Sequence, residues 1–297
     1  MKTVMKLAMP TQGSDKKRLM ARIPASELVG RWQDEYSIDV APYFRDVETV
    51  NVLECKDSGI VHFEPRVIGD EALYHALERH DWYYVEDKWE HRLSLHSVRS
   101  GARVLEVGCG RGAFLVRAKE LGACVAGIEL NNASASAASE RGIDIAQCDV
   151  KAAPKEWLRS FDLVAAFQVV EHVPEPLDFC ESLFSLVKPG GALHVAVPNR
   201  ESFLQYTDTL LDLPPHHASR WNTHALTYLG NKIGAREIRV VRGPLEPIHV
   251  DLFLEISRRR LGRLIMNRIS VPMARAALNA GARHFISGHS LVGIYRR

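Results

Sequence analysis

The stretch "VLEVGCGRGAFL" (Val104–Leu115) constrains this chain more than any other. An apolar, strand-like run gives way to three glycines at alternate positions, and a helical pattern follows. Glycines so placed let the backbone turn sharply and approach a ligand, while the helix behind them points its free N–H groups at the turn. The same alternation continues downstream. "RVLEV" reads as a strand and "AFLVRAKELG" as a helix closed by Gly122. "CVAGIEL" is a second strand, followed by the helix "NNASASAASERG" with an Asn cap and Gly142 as its stop. "IDIAQCDV", "FDLVAAFQVV" and "ALHVAVPN" supply three more strands, the last after the turn Lys188-Pro189-Gly190-Gly191. "REIRVVRG" and "GHSLVGIYRR" look like two further ones. Strands alternating with helices in this way predict an α/β fold, a doubly wound, Rossmann-like sheet covered on both faces.

Gly108, Gly110 and Ala113 also satisfy G-x-G-x-x-A, the dinucleotide fingerprint, so the glycines alone leave two cofactors open. Glu106 separates them. A carboxylate two residues before the first glycine repels a pyrophosphate by something on the order of 1 kcal/mol or more. The same carboxylate favours a ligand with an amino group and a sulfonium, and S-adenosylmethionine is such a ligand. Glu129, 21 residues after Gly108, ends the second strand, where an acid can accept both ribose hydroxyls. Asp149 follows the third strand, placed for an adenine amino group. Each acid alone reads as a solvated loop residue. Three of them at the ends of successive strands, beside a glycine turn, read as a ligand edge.

The combination "VLEVGCGRG…GIELN…FDLVAAFQVVEHV…LVKPGGALHVAVPN", over about residues 101–200, resembles the class I S-adenosylmethionine-dependent methyltransferases. It is most similar to the small-molecule branch that includes ubiquinone-biosynthesis and sugar methyltransferases. The resemblance implies a seven-stranded sheet with the last strand antiparallel, and a cofactor lying over Gly108, Cys109, Gly110 and Gly112. Its ribose would sit at Glu129 and Leu130, its adenine near Gln147–Val150, and its methionine end above Gln168–His172. The stretch "ECKDSGIVHFEP" faintly resembles a zinc-binding lobe of some sugar C-methyltransferases. Ser58 stands where the second cysteine of a Cys-x-x-Cys pair is needed, so no metal is expected.

Methyl transfer to a hydroxyl or an acidic carbon needs a base, and three histidines are candidates: His172, His216 and His217. His172 follows Glu171 at the end of the fourth strand. The other two lie in "LDLPPHHASRW" (Leu211–Trp221), where two prolines stiffen a loop that carries titratable groups. Glu171 and Tyr206 are taken as substrate-wall residues, and Trp221 as one that lies against a substrate ring or packs under the loop; Tyr83, Tyr84 and Trp89 read as core residues or as aromatics over the cofactor. The expected organisation is a flexible basic arm (1–23), an N-terminal lobe or lid (24–99) and a methyltransferase domain (100–297). Substrate-wall insertions are expected at 199–230 and 244–284.

The composition, 46% hydrophobic and 25% charged with a net charge of +2, suits a globular chain rather than a disordered or nucleic-acid-coating one. Nothing approaches a membrane span, and five scattered cysteines suit a reducing cytoplasm. Nine arginines and no acid follow Glu255, a surface for anionic contacts if it is not simply a solvated face. The expected function is methyl transfer from S-adenosylmethionine to oxygen or carbon of a small molecule: a sugar, glycan precursor or secondary metabolite. Nucleic acid is not the expected partner, because "FQVVEHV" stands where amino-directed enzymes carry Asn/Asp-Pro-Pro-Tyr. Two alternatives remain at this point, a nicotinamide-dependent oxidoreductase and a catalytically silent cofactor-binding module.

Overall fold

The computed structural model describes residues 17–80, 83, 86–207, 209–266 and 271–297. Most of the proposed arm, residues 1–16, and Tyr84 therefore lie outside the described residues. The chain begins with β1 (Lys17–Pro24), α1 (Ala25–Tyr36), β2 (Thr49–Cys55), β3 (Val61–Glu64), α2 (Glu71–Leu77) and α3 (Trp89–Leu95). There follow β4 (Arg103–Val107), α4 (Ala113–Glu120), β5 (Cys124–Ile128), α5 (Asn132–Glu140) and β6 (Asp144–Ala146). Next come β7 (Phe161–Phe167), α6 (Pro176–Leu186), β8 (Val187–Pro198), β9 (Ser219–Arg220) and α7 (Thr223–Lys232). The last elements are β10 (Glu237–Pro244), α8 (Val250–Met266), α9 (Val271–Asn279) and β11 (Ser287–Arg296).

Seven strands form the main sheet in the order β10-β11-β8-β7-β4-β5-β6. β11 pairs antiparallel with both β8 and β10, while the β4–β5, β4–β7, β5–β6 and β7–β8 pairs are parallel. The seven-stranded expectation with a reversed last strand is met. β7 (FDLVAAF) is buried at six of its seven positions, as a strand with helices on both faces must be. On one face Phe114, Leu115 and Ala118 of α4 pack with Val104, Leu163 and Phe167; on the other, Leu183 and Leu186 of α6 pack with Val164 and Val195. The chain reverses direction across the sheet between β4 and β7, and the crevice at the carboxyl ends of those strands is where such sheets bind ligands.

The N-terminal part is a four-stranded sheet, β1-β2-β3-β9, whose last strand comes from far downstream. Its core gathers Leu28, Trp32, Val50 and Phe63 and also takes in Leu210 and Leu213. The lobe is thus completed by the segment after β8 rather than by residues 24–99 alone. Lys17–Pro24, expected at the end of a flexible arm, pairs with β2 from Lys17 opposite Cys55 to Pro24 opposite Thr49. The expected insertion 199–230 likewise contains most of α7. That helix is a crossover helix of the main sheet, covering it with Leu226 and Leu229.

α8 and α9 stand between β10 and β11 and close over Phe203 and Leu245. In the arginine-rich segment, Arg275 pairs with Asp251 at 2.6 Å and Arg296 with Glu237 at 3.5 Å, so part of its charge is matched locally. The side chains of Arg260 and Arg263 lie outside the described residues. Among the described residues no helix is long and apolar enough to cross a membrane.

Gly112 leads into α4 with φ +76°, and a Cβ there would lie 2.2 Å from Ile143 Cδ1. Gly112→Ala combines left-handed backbone strain with overpacking, together about 2–4 kcal/mol. Urea unfolding should show that loss as a lower midpoint at unchanged slope.

Candidate active site

One cavity of about 840 Å³ opens at the carboxyl ends of β4, β5, β7 and β8, lined there by Val107, Ile128, Phe167 and Pro198. Its first half is built on the glycine turn. Gly108, Gly110, Glu129, Leu130, Asp149 and Val150 all line it. Gly108 takes φ +72°, and a Cβ at that position would meet Val169 Cγ2 at 2.6 Å, so the turn requires glycine. The Glu129 carboxylate braces the turn: the Gly110 N–H donates to Oε2 and the Asn131 N–H to Oε1, each at 2.8 Å. The Asp149 side chain accepts from the Lys151 N–H at 2.8 Å.

Glu106 does not line the cavity; it lies behind the turn, 3% exposed, with Oε2 lacking a partner. Burial pushes its carboxyl well above the usual range, and the Glu129 charge adds to the rise, while Lys88 opposes it. Cys109 and Gly112 are also outside the lining. Cys109 is buried, and Gly112 packs against Ile143, so both support the turn rather than face a ligand.

The second half of the cavity holds Gln168, Glu171, His172, His216 and His217. Gln168 adopts φ +58° just past β7, and its amide donates to Glu90 Oε1 at 2.9 Å. The loop with the two prolines is fastened to the sheet here: the Ala218 and Ser219 N–H groups donate to the Glu171 carbonyl at 2.7 and 3.1 Å. His172 and His217 come within 4.7 Å, centroid to centroid, and His216 and His217 stack at 4.5 Å. His172 Nδ1 donates to the His216 carbonyl at 2.7 Å, and His216 Nδ1 to the Leu211 carbonyl at 2.8 Å. Burial keeps all three neutral, with His216 held down to about 4 and the other two well below the ordinary imidazole value. The Glu171 carboxyl, 1% exposed, is pushed up to about 8 by burial.

Two expected substrate-wall residues are elsewhere. Trp221 is 1% exposed within the main core, its indole N–H donating to Ser219 Oγ at 2.9 Å, so it packs beneath the loop. Tyr206 is 47% exposed and lies outside the lining. Tyr83 and Trp89 do reach the cavity, and the Tyr83 hydroxyl donates to His216 Nε2 at 3.0 Å. The sequence reasoning missed Lys88, Glu90, Asp212, His249 and His289, which also line it. Asp212 sits inside the quoted Leu211–Trp221 stretch, a signal passed over; the others belong to no motif that marks them as cavity residues.

The carboxylates around the turn, with Lys88 as a cation nearby, suit a ligand that carries an ammonium, a carboxylate and no phosphate. S-Adenosylmethionine fits that set, whereas a dinucleotide pyrophosphate does not.

The family described as "Methyltransferase domain" matches residues 77–240, more than half of the chain. A ubiquinone biosynthesis O-methyltransferase from Pseudomonas entomophila (strain L48) is 33% identical over 145 residues, 43% of this chain and 62% of that protein. A protein of the same name from Nitrosococcus oceani is 36% identical over 111 residues, 35% of this chain and 47% of its own length. A SAM-dependent methyltransferase from Archaeoglobus fulgidus shares the fold with a TM-score of 0.54 at 19% identity, covering 75% of this chain and 100% of that one. The chain belongs to the methyltransferase domain family, and the nicotinamide alternative falls away. The chain spans less than two thirds of the length of these curated relatives.

Removing the brace should loosen the cofactor end. Glu129→Ala is expected to weaken S-adenosylhomocysteine binding at least tenfold, about 1.4 kcal/mol, by calorimetry. Unchanged affinity would remove Glu129 from the cofactor site.

The buried ionisable groups also set the pH dependence of folding. His62, His91, His172, His194, His216, His217, His249 and His289 are all held below the ordinary value, chiefly by burial. Below about pH 6.5 the unfolded chain protonates them and the folded chain does not, so stability falls as pH falls toward 4. Glu106, Glu171 and Asp212 are raised by burial and act the opposite way. They ionise in the unfolded chain above about pH 4.5 and lower stability as pH rises toward 8. The histidines outnumber them on the acid side, so the urea midpoint should peak at about pH 6–7 and decline on both sides. A midpoint still rising from pH 7 to 8 would contradict a buried, protonated Glu171.

Proposed function

We propose that the chain transfers a methyl group from S-adenosylmethionine to a hydroxyl oxygen of a small acceptor, which is activated at the His172–His216–His217 cluster. The observation that carries this reading is that one cavity joins the braced glycine turn to a cluster of neutral imidazoles. When bound, S-adenosylmethionine supplies an electrophilic methyl group. Glu129 and Asp149 would hold its nucleoside end, and Lys88 and Gln168 its amino-acid end, with Glu106 behind the turn. The acceptor hydroxyl lies against the cluster, where a neutral imidazole nitrogen draws off its proton. A base contributes roughly 10²–10⁴-fold, and alignment of acceptor and methyl contributes the larger share.

Oxygen is favoured over carbon because the curated relatives are named as O-methyltransferases. Tyr74, Tyr83 and Leu211 in the wall suit a ring-bearing acceptor, phenol or sugar, and the cavity lies at the large end of the ~300–1,000 Å³ usual for ligand pockets.

The test is turnover with methyl-labelled S-adenosylmethionine against phenols, sugars and amines, with the product located by mass and carbon-13 shift. The expected product carries the label on oxygen. His216→Ala and His217→Ala should lower kcat by about 10²-fold or more, with S-adenosylhomocysteine affinity within about twofold of wild type. Equal loss of cofactor binding would remove the histidines from the acceptor wall. Tight cofactor binding with no product from any acceptor would favour the silent module.

A further inference from the structure

His172, His216 and His217 each bring one ring nitrogen to a common place, and those atoms all lie within 4.8 Å of one another. The Nδ1 side of every ring is already engaged. It meets the His216 carbonyl for His172 (2.7 Å), the Leu211 carbonyl for His216 (2.8 Å) and the Asp212 carboxylate for His217 (3.5 Å). An acceptor on Nδ1 keeps the proton there, turns the ring and leaves Nε2 as a basic lone pair, the arrangement of metal-ligating histidines. A second observation points the same way. Glu171 is 1% exposed with both carboxylate oxygens lacking a partner, and Oε1 lies 3.9 Å from His172 Nε2. A buried, unpartnered carboxyl beside converging imidazoles is costly unless a cation completes the set.

We propose that His172, His216 and His217 bind one divalent first-row metal ion of the zinc class beside Glu171, and that this ion receives the acceptor hydroxyl. Three imidazole nitrogens suit zinc, cobalt or iron(II), and they suit magnesium poorly, since that ion prefers oxygen ligands. Three protein ligands leave a position open, as catalytic zinc sites do. The Tyr83 hydroxyl, now donating to His216 Nε2, is the group the ion displaces.

The role of the ion rests on the proposed O-methylation, whereas the binding site does not. In that role the histidines are ligands, and Glu171 replaces imidazole as the proton acceptor. The O–H bond breaks toward the Glu171 carboxylate and the oxygen forms the C–O bond. The C–S bond breaks with its electron pair returning to sulfur. The cation lowers the hydroxyl's proton affinity, as metals do for bound water.

The test uses the full chain, stripped with a chelator and titrated with Co²⁺ as a spectroscopic probe, then with Zn²⁺ in competition. S-Adenosylhomocysteine binding is followed calorimetrically in parallel. The expected result is one Co²⁺ per chain with visible d–d bands, displaced by Zn²⁺. His217→Ala, or the closer-sized His172→Gln should the former fail to fold, is expected to weaken Co²⁺ binding by about 100-fold or more. Asp212→Asn, which alters the carboxylate shared by the back of the His217 ring and Arg220, should weaken it about 10–100-fold. A chain that binds S-adenosylhomocysteine yet retains neither Co²⁺ nor Zn²⁺ stoichiometrically overturns the metal site and leaves the methyltransferase reading standing. A chain that holds the metal without binding S-adenosylhomocysteine supports the site and breaks the other reading alone.

Discussion

Two hydrogen bonds hold the cavity together: the Ala218 and Ser219 N–H groups donate to the carbonyl of Glu171. They fasten the loop after β8 to the end of β7 and so put His216 and His217 beside His172. The same loop runs on into β9, which pairs with β3, and its Leu210 and Leu213 are buried in the N-terminal core. A single segment is thereby shared by the main sheet, the smaller sheet and the cavity wall. The histidine end of the cavity is consequently rigid, because moving the histidines would pull β9 from its sheet and two leucines from their core. Each fully buried leucine contributes about 1.5–3 kcal/mol, so displacement is strongly disfavoured.

The cofactor end depends on a different economy of groups. Glu129 spends one oxygen on the Gly110 amide and the other on the Asn131 amide. Each carboxylate oxygen has a second lone pair, so the brace and a ribose grip are compatible in one side chain. Sequence reasoning saw only the second role.

The main sheet was legible because its strands are buried on both faces and read as continuous apolar runs, and because glycines mark where they turn. β1 was not. Six of the first seven residues of KRLMARIP are exposed, and the strand is held by its ladder with β2, which side-chain pattern does not report. The site divides in the same way. Gly108, Glu129 and Asp149 follow from spacing along one alternating unit. Glu90, His249 and His289 come from three distant segments and meet only in the folded chain. Trp221 shows the limit within a single loop: four residues from His217, it turns into the core while His217 faces the cavity.

The charge arrangement fits the proposed methyl transfer. A sulfonium cofactor is cationic, and an imidazolium a few ångströms from it would be repelled by roughly 4 kcal/mol at intermediate dielectric. Burial removes that conflict by keeping His172, His216 and His217 neutral at neutral pH. Desolvation usually appears as a cost in such sites. Here it sets the imidazoles in the one protonation state that can share a cavity with a positively charged methyl donor and still offer a lone pair to an acceptor.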